Sequence, residues 1–488
     1  MLQEVERALA QARQAQPQWA SQVVRRRLRT IGRVAEHIAS QTTELLERIP
    51  RPNADRAEIL ASELLPVADA CRYTAKIGGR TLAPQTPSWR HGAWWMGRIG
   101  VTLQRDPWGT VLILSPSNYP LFLPGVQIVQ ALAAGNAVLV KPAVGYAAVL
   151  ACFRQCLLEA GVPGDLVHVL NPDVRAGQAA IELGVDKVLL TGSTATAQAL
   201  LPQLSAKLTP STLELGGCDA VFVSPRADLQ RVVGCLAYAL RLNGGATCIA
   251  PRRVFVTPTH GLPLAEALKA ELVDGAAFEI PATVARRLAE AVAQALADGA
   301  EILCGQLPPE PPEDNASAAS VRMRPLVLRG VQPHMAVARE DWFAPLLSLL
   351  EVPDMAAAIA ADQHCPYRLG ASVFGPRNHA EHWAQEIAAG CVVINDILVP
   401  TADPRVAFGG RDQSGWGCTR GQEGLLEMTR PKTICIRRGN WLPHLNASSA
   451  ADEGLLAELL QLFHAGSRWR RLQALQRIVV SQWSQRTR

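Results

Sequence analysis

From Thr110 the chain settles into a rhythm that few architectures accommodate: a short apolar run, a helical segment, then another short apolar run. TVLIL (110–114) is followed by a loop with two prolines and a helix through Ala134, which Gly135-Asn136 stops. AVLVKP (137–142) reads as a second strand, and AAVLACFRQCLLEAG (147–161) as a helix closed by glycine. LVHVL (166–170) and DKVLLTG (186–192) repeat the strand theme. Strands alternating with helices predict a parallel α/β sheet. A second α/β stretch begins near Asp219 with AVFV and runs to about residue 420. A chain of 488 residues is too long for one ordinary core, so two or three domains are expected.

The flanks differ. Leu28, Ile31, Val34, Ala35 and Ile38 recur three and four apart, which predicts an amphipathic helix within the helical first 80 residues. Residues 92–106 read as extended or hairpin-like, 428–437 as a late strand, and the proline- and acid-rich segment 305–320 as an exposed loop. The tail from about 440 carries Trp441, Trp469 and Trp483, and residues 468–488 hold six arginines and no acid. That suits a terminal helix docked on its own protein or a sister subunit, or else a contact with an anionic surface.

With 48% hydrophobic and 19% charged residues the chain reads as globular, and a net charge of +5, small for this length, implies no dedicated nucleic-acid or membrane partner. The polar N-terminus lacks the continuous apolar core of a signal peptide. The apolar stretch 111–140 is interrupted by SPSNYP and Pro124, so it does not read as a membrane span. Eleven cysteines with no CxxC pair suit a reducing cytoplasm better than a disulfide framework. Cys152 and Cys156, four apart on a helix, read as buried small apolar residues. His379 and His382 share a helix face without evident further ligands, so no metal site is expected.

Four segments carry candidate chemistry. In Asn243-Gly-Gly-Ala-Thr-Cys248, glycines permit sharp turns and leave backbone N–H groups near a thiol, a setting for a nucleophile and an oxyanion. Alone, Cys248 would read as one buried cysteine among eleven. In Thr212-Leu-Glu-Leu-Gly-Gly217, Glu214 stands among apolar residues, either ion-paired or held with a raised pKa for proton transfer. In Ser115-Pro-Ser-Asn118-Tyr-Pro, directly after a strand, Asn118 reads as a helix cap or as an amide donor to an oxyanion. Lys141 ends a strand at the carboxyl edge of the sheet, where open α/β folds bind ligands. Thr191-Gly192-Ser193-Thr194 opens a helix with small polar residues, an ordinary cap or a phosphate seat.

Taken together, the order and spacing of these segments resemble the aldehyde dehydrogenase superfamily over roughly residues 5–437. NGGATC followed by Arg253 resembles its cysteine motif, and LELGG, with Glu214 placed 34 residues before Cys248, its glutamate motif. SPSNYPL with KP 23 residues after Asn118 resembles its asparagine–lysine pair. TGST, EDWFAP (340–345), AGCVVIND (389–396) and AFGGRDQSGWG (407–417) are similar to further family blocks. The resemblance implies that Cys248 attacks an aldehyde carbonyl to form a thiohemiacetal, with Asn118 and the Cys248 amide holding the oxyanion. Hydride passes to NAD or NADP, and Glu214 activates water to release the acid. It implies Lys141 on the adenosine ribose or its phosphate, Gly192 and Ser193 at the pyrophosphate, and Asp341 with Phe343 at the nicotinamide ribose.

The sequence departs from the family pattern at Ser117, Val144, Cys218, Asp341 and Ala344. Val144 stands where a ribose-binding glutamate is common, which leaves NADP open beside NAD. The implied fold is α/β, with two parallel-sheet domains, a small bridging oligomerisation sheet and a helical C-terminal tail. The expected boundaries are 1–88 with 107–218 for dinucleotide binding and 219–415 for catalysis. Residues 92–106 with 425–437 would form the bridging sheet, and 440–488 the tail. A homodimer or homotetramer is implied. The rivals are a coenzyme-A-acylating dehydrogenase or an aldehyde-forming reductase, which Glu214 argues against, and a degenerate member that serves assembly or binding.

Overall fold

The structure, a computed structural model, describes the chain except residues 97–98, 308–319, 441, 446, 448–449 and 487–488. Most of the proline- and acid-rich loop, Trp441 and the side chain of Trp483 therefore lie outside the described residues. Residue contacts divide the chain into two compact units, 1–83 with 105–430 and 84–104 with 431–488.

The first unit holds two large sheets. In the six-stranded sheet, Thr110–Leu114 pairs in parallel with Ala137–Lys141 on one side and with Lys187–Thr191 on the other. Val167–Val169 and Ser211–Glu214 extend the two flanks. The runs TVLIL and KVLLT are buried at every position, which explains why they lack strand-like alternation: both faces are covered. Chain order reverses direction at Thr110–Leu114, so a crevice opens at the carboxyl ends of the strands there. The helix Phe122–Ala134 is wholly buried and ends on Gly135 in the left-handed conformation (φ 103°), as its sequence predicts.

The second sheet has seven strands in the order Glu301–Cys304, Leu326–Arg329, Leu346–Glu351, Pro251–Val256, Asp219–Val223, Gly370–Phe374, Cys391–Ile394. All pair in parallel except the antiparallel edge Glu301–Cys304. One segment crosses back: Gly415–Trp416 pairs antiparallel on the edge of the first sheet, with Gly415 opposite Glu214. A two-residue strand has too little pattern to read from sequence, yet it closes the edge on which Glu214 sits.

Helices from the first 81 residues pack on the first sheet, burying Leu28, Ile31, Val34, Ala35 and Ile38. Between Arg56–Ile59 and Leu65–Thr81 a π-turn, Leu60–Leu64, aims Glu63 into the core. Its Oε2 accepts from the backbone N–H groups of Leu121 (3.1 Å) and Phe122 (2.7 Å). Burial pushes this carboxyl up to about 7, against the opposing charge of Arg51. Glu63 thus anchors the loop 115–121 from beneath.

In the second unit, Ile99–Pro107 pairs with Thr429–Arg437 as a two-stranded ribbon. The segment 92–106, read as extended, instead begins with a short 3-10 turn, Trp94–Met96, and is a strand only from Ile99; a second such turn, Trp89–His91, precedes it. The tail forms two helices, Ala450–His464 and Arg468–Arg486, bridged by Arg477 and Glu458 at 2.8 Å.

Candidate active site

The loop bearing Cys248 lies between the helix Leu229–Arg241 and the strand Pro251–Val256. Asn243, Gly244 and Gly245 all take positive φ (50°, 60°, 74°). A Cβ on Gly244 would meet Asn53 Nδ2 at 2.7 Å, and one on Gly245 would meet the Ala344 carbonyl at 2.6 Å, so both glycines are required by space as well as by φ. The fully buried Arg252 fixes this turn, donating to the carbonyls of Gly245 (2.7 Å) and Ala344 (2.9 Å). Asn243 accepts from Arg51 Nε (3.3 Å) and donates to the Asn118 carbonyl (3.3 Å), joining the cysteine loop to the asparagine loop. Tyr119 and Thr247 share a hydroxyl hydrogen bond of 2.7 Å across the same junction.

Glu214 ends the strand Ser211–Glu214 and is 2% exposed. Its Oε2 accepts from the Thr419 hydroxyl at 2.8 Å, while Oε1 is buried with no hydrogen-bond partner. Burial raises its pKa, and Arg420 and Thr419 act against that. Cys248 and Glu214 line one cavity of ≈ 420 Å³, with Tyr119, Phe122, Leu242, Leu398 and Phe408 forming much of an apolar wall. Burial, reinforced by the charges of Glu214 and Asp219, pushes the Cys248 thiol well up; Arg420 pulls it down.

Arg420 escaped the sequence reading. It is 5% exposed, lines the cavity and lies 4.1 Å from the Phe408 ring centroid and 5.3 Å from that of Phe122. One guanidinium nitrogen donates to the Thr401 carbonyl (2.6 Å), and Nε is buried without a partner. Burying an unpaired cation costs several kcal/mol, so a nearby anion is the natural complement. In sequence it is one arginine of many, followed by glycine, and only the left-handed turn at φ 64° aims it inward.

A second crevice of ≈ 350 Å³ opens at the carboxyl ends of Thr110–Leu114, Ala137–Lys141 and Lys187–Thr191. Ser115, Ser117, Lys141, Gly192 and Thr196 line it, and none of its lining residues is acidic. Ser115 Oγ is buried without a partner. Lys141 Nζ donates to the carbonyls of Pro142 (2.9 Å) and Pro172 (3.2 Å), and burial lowers its pKa. Val144 is 78% exposed.

The candidate residues fall around these two spaces unevenly. Asn118 lines neither space, although its sequence neighbours do, Ser117 the crevice and Tyr119 the cavity. Its Oδ1 accepts from the Tyr119 N–H (3.0 Å). Ser193 is the cap of the helix Thr194–Ser205, accepting from the Thr196 N–H at 3.1 Å, and is not among the crevice-lining residues, whereas Gly192 is. Asp341 lies in neither lining; its Oδ2 sits against Gly216, where a Cβ would approach to 2.0 Å. Its Oδ1 is buried without a partner, and burial lifts the carboxyl to about 7 against the charges of Arg252 and Arg287. Phe343 is half-buried beside it in sequence. Arg253, singled out after the cysteine, instead pairs with Asp362 at 2.8 Å and holds the Cys218 carbonyl. His379 is engaged by Arg226. Among the described residues no cluster of three or more His, Cys, Asp or Glu could hold a metal, and no helix is long and apolar enough to cross a membrane.

The aldehyde dehydrogenase family model matches residues 2–434. The chain belongs to that family. Over 99% of its length, this aldehyde dehydrogenase is 27% identical to the 4,4'-diapolycopene aldehyde oxidase of Methylomonas sp, covering 93% of that protein. It matches the structure of the NAD-dependent aldehyde dehydrogenase from Sinorhizobium meliloti with a TM-score of 0.82 at 26% identity, over 90% of this chain and 89% of the other. The NADP-dependent glyceraldehyde-3-phosphate dehydrogenase from Bacillus halodurans C-125, solved with NADP, matches with a TM-score of 0.80 at 25% identity, over 89% and 91%. The chain has the aldehyde dehydrogenase fold and is an enzyme of aldehyde oxidation.

Proposed function

We propose that this aldehyde dehydrogenase converts an apolar aldehyde to its free acid, with Cys248 as nucleophile and Glu214 as base. The observation that carries the reading is the single apolar cavity lined by both side chains. Cys248 Sγ, as the thiolate left when its proton is released to solvent, attacks the carbonyl carbon, and the Asn118 amide, its oxygen committed to the Tyr119 N–H, keeps its Nδ2 donors for the oxyanion. NAD or NADP, held in the neighbouring crevice by Lys141 and the start of the helix Thr194–Ser205, would supply the two-electron oxidant, a hydride acceptor for the thiohemiacetal carbon, so that a thioester is left on Cys248. Glu214 Oε1, unpartnered and held by Thr419 through its other oxygen, then takes a proton from water as that water attacks the thioester.

The crevice fits the dinucleotide: Lys141 supplies a cation, the start of the helix Thr194–Ser205 supplies N–H groups for phosphate oxygens, and Ser115 Oγ lacks a partner. Ser193 acts by capping that helix, Gly192 by admitting the backbone closely. Asp341 Oδ1, an orphan acceptor, suits a ribose hydroxyl, and Phe343, two residues on, is assigned to the same ribose. No acid is among the crevice-lining residues, and although Asp173 acts on Lys141 from outside the lining, the cation remains available to a 2′-phosphate, so NADP is accepted as well as NAD.

Assaying products with and without coenzyme A, under each cofactor, tests the reading. Free acid is expected at an unchanged rate without coenzyme A. Lys141→Ala should raise KM for NADP by roughly tenfold and for NAD by less. Product appearing only as the acyl thioester would overturn it.

Arg420 opposes the burial that pushes both reacting groups toward their neutral forms. In Arg420→Met the opposing charge is gone, so both Glu214 and Cys248 titrate higher and the acid limb of the kcat/KM–pH profile moves up. The rate at pH 7 should fall by roughly tenfold, with Arg420→Lys in between. An unmoved limb would remove Arg420 from the site.

The ribbon Ile99–Pro107 with Thr429–Arg437 has only two strands, too few to be stable with open edges, which supports a homodimer or homotetramer built on it; the eleven free cysteines suit work in the reducing cytoplasm.

A further inference from the structure

The tail helices lie beyond the segment matched by the family, which ends at residue 434. The helix Ala450–His464 packs Leu455, Leu459 and Leu462 inward, half-buried, while Ala474 of Arg468–Arg486 is fully buried. That pairing leaves a second apolar side on each helix. Leu456, Leu460 and Phe463 recur at i, i+4 and i+7, and Leu472, Leu475 and Val479 at i, i+3 and i+7, so each set shares a stripe. With Trp469 and Val480, these side chains are between 39% and 68% exposed. A helix that is apolar on two sides expects cover on both.

Charge says what the cover is. Residues 465–486 contain no acid, and Arg468, Arg470, Arg471 and Arg477 are all exposed. The described acids of the hairpin are on the first helix, where Glu458 is already paired with Arg477. A second copy seated through its own arginine-bearing helix would set like charges together. Apolar stripes flanked by long cationic side chains match instead the boundary between lipid headgroups and acyl chains, with a tryptophan at the wet edge. We propose that residues 450–486 seat this protein on an anionic lipid surface, lying in its plane with the stripes inserted and the arginines among the headgroups. No described helix is long and apolar enough to cross it.

Flotation of the full-length protein with phosphatidylcholine vesicles, with and without phosphatidylglycerol, tests this. The bound fraction should rise by about tenfold or more with the anionic lipid and fall again in high salt. Leu472→Glu with Val479→Glu should abolish flotation, and Arg468→Glu with Arg470→Glu should remove the lipid-charge dependence. All four side chains are exposed, so melting temperature and aldehyde oxidation should stay unchanged. Absence of flotation would overturn the proposal. If light scattering then showed an oligomer that the leucine–valine pair dissociates, the occupant would be a second copy; flotation indifferent to lipid charge would equally sink the anionic-surface reading.

Discussion

Cys248→Ala should lose aldehyde oxidation by roughly four orders of magnitude or more while still binding the reduced cofactor. The sulfur is the only thiol among the residues lining the cavity, and two hydroxyls that line it too, those of Tyr119 and Thr247, are occupied with each other at 2.7 Å. Neither can take over as a nucleophile without giving up that bond. The substitution removes one atom from a partly exposed side chain. The turn around it is held by Arg252, Arg51 and Asn243, none of which bonds to the sulfur. Melting temperature and cofactor fluorescence should therefore match the parent enzyme. Cys248→Ser separates geometry from chemistry: it restores the shape and a hydroxyl, but not a nucleophile reactive enough for turnover. A rate within tenfold of the parent for Cys248→Ala would end the assignment.

The sheets were readable in the sequence because burial writes itself in composition. Runs such as TVLIL and AVLVK lie in parallel strands covered on both faces, and Gly135 stops its helix by conformation alone. The candidate site was readable for a different reason: Asn118, Glu214 and Cys248 each sit in a short motif near a strand end or sharp turn. What escaped lies where function depends on a fold-back. Gly415–Trp416 is two residues long and gains meaning only by pairing with Glu214 and Leu213. Thr419 and Arg420 follow it, and nothing local reveals that one donates to Glu214 and the other charges the cavity. Glu63 is similar: a polar residue in a helical stretch, swung inward by a π-turn to hold the Leu121 and Phe122 amides. Arg252 and Arg253 do different work: Arg252 holds the cysteine turn through the Gly245 and Ala344 carbonyls and Arg253 supports Cys218 and Asp362, because neighbours in a strand point to opposite faces.

Glu214→Gln should uncouple the two halves of the reaction. The amide keeps the shape of the carboxylate and can still accept from Thr419, so the cavity should remain intact. It cannot take a proton from water. Attack by Cys248 and oxidation of its adduct should therefore proceed once, giving a burst of one reduced cofactor per site, after which the thioester persists. Steady turnover should drop by about two to four orders of magnitude, and mass spectrometry should find the acyl group on Cys248. A small thiol or hydroxylamine, which needs less help to attack a thioester than water does, should restore release. The burial that raises the Glu214 pKa adds a check on the parent enzyme: the release step should gain speed as pH rises through that raised pKa, and the variant should lack this limb. A variant with no burst would give Glu214 a part in activating the thiol as well. One that turns over like the parent would show that the carboxylate and the sulfur, though they line one cavity, do not act on the same substrate.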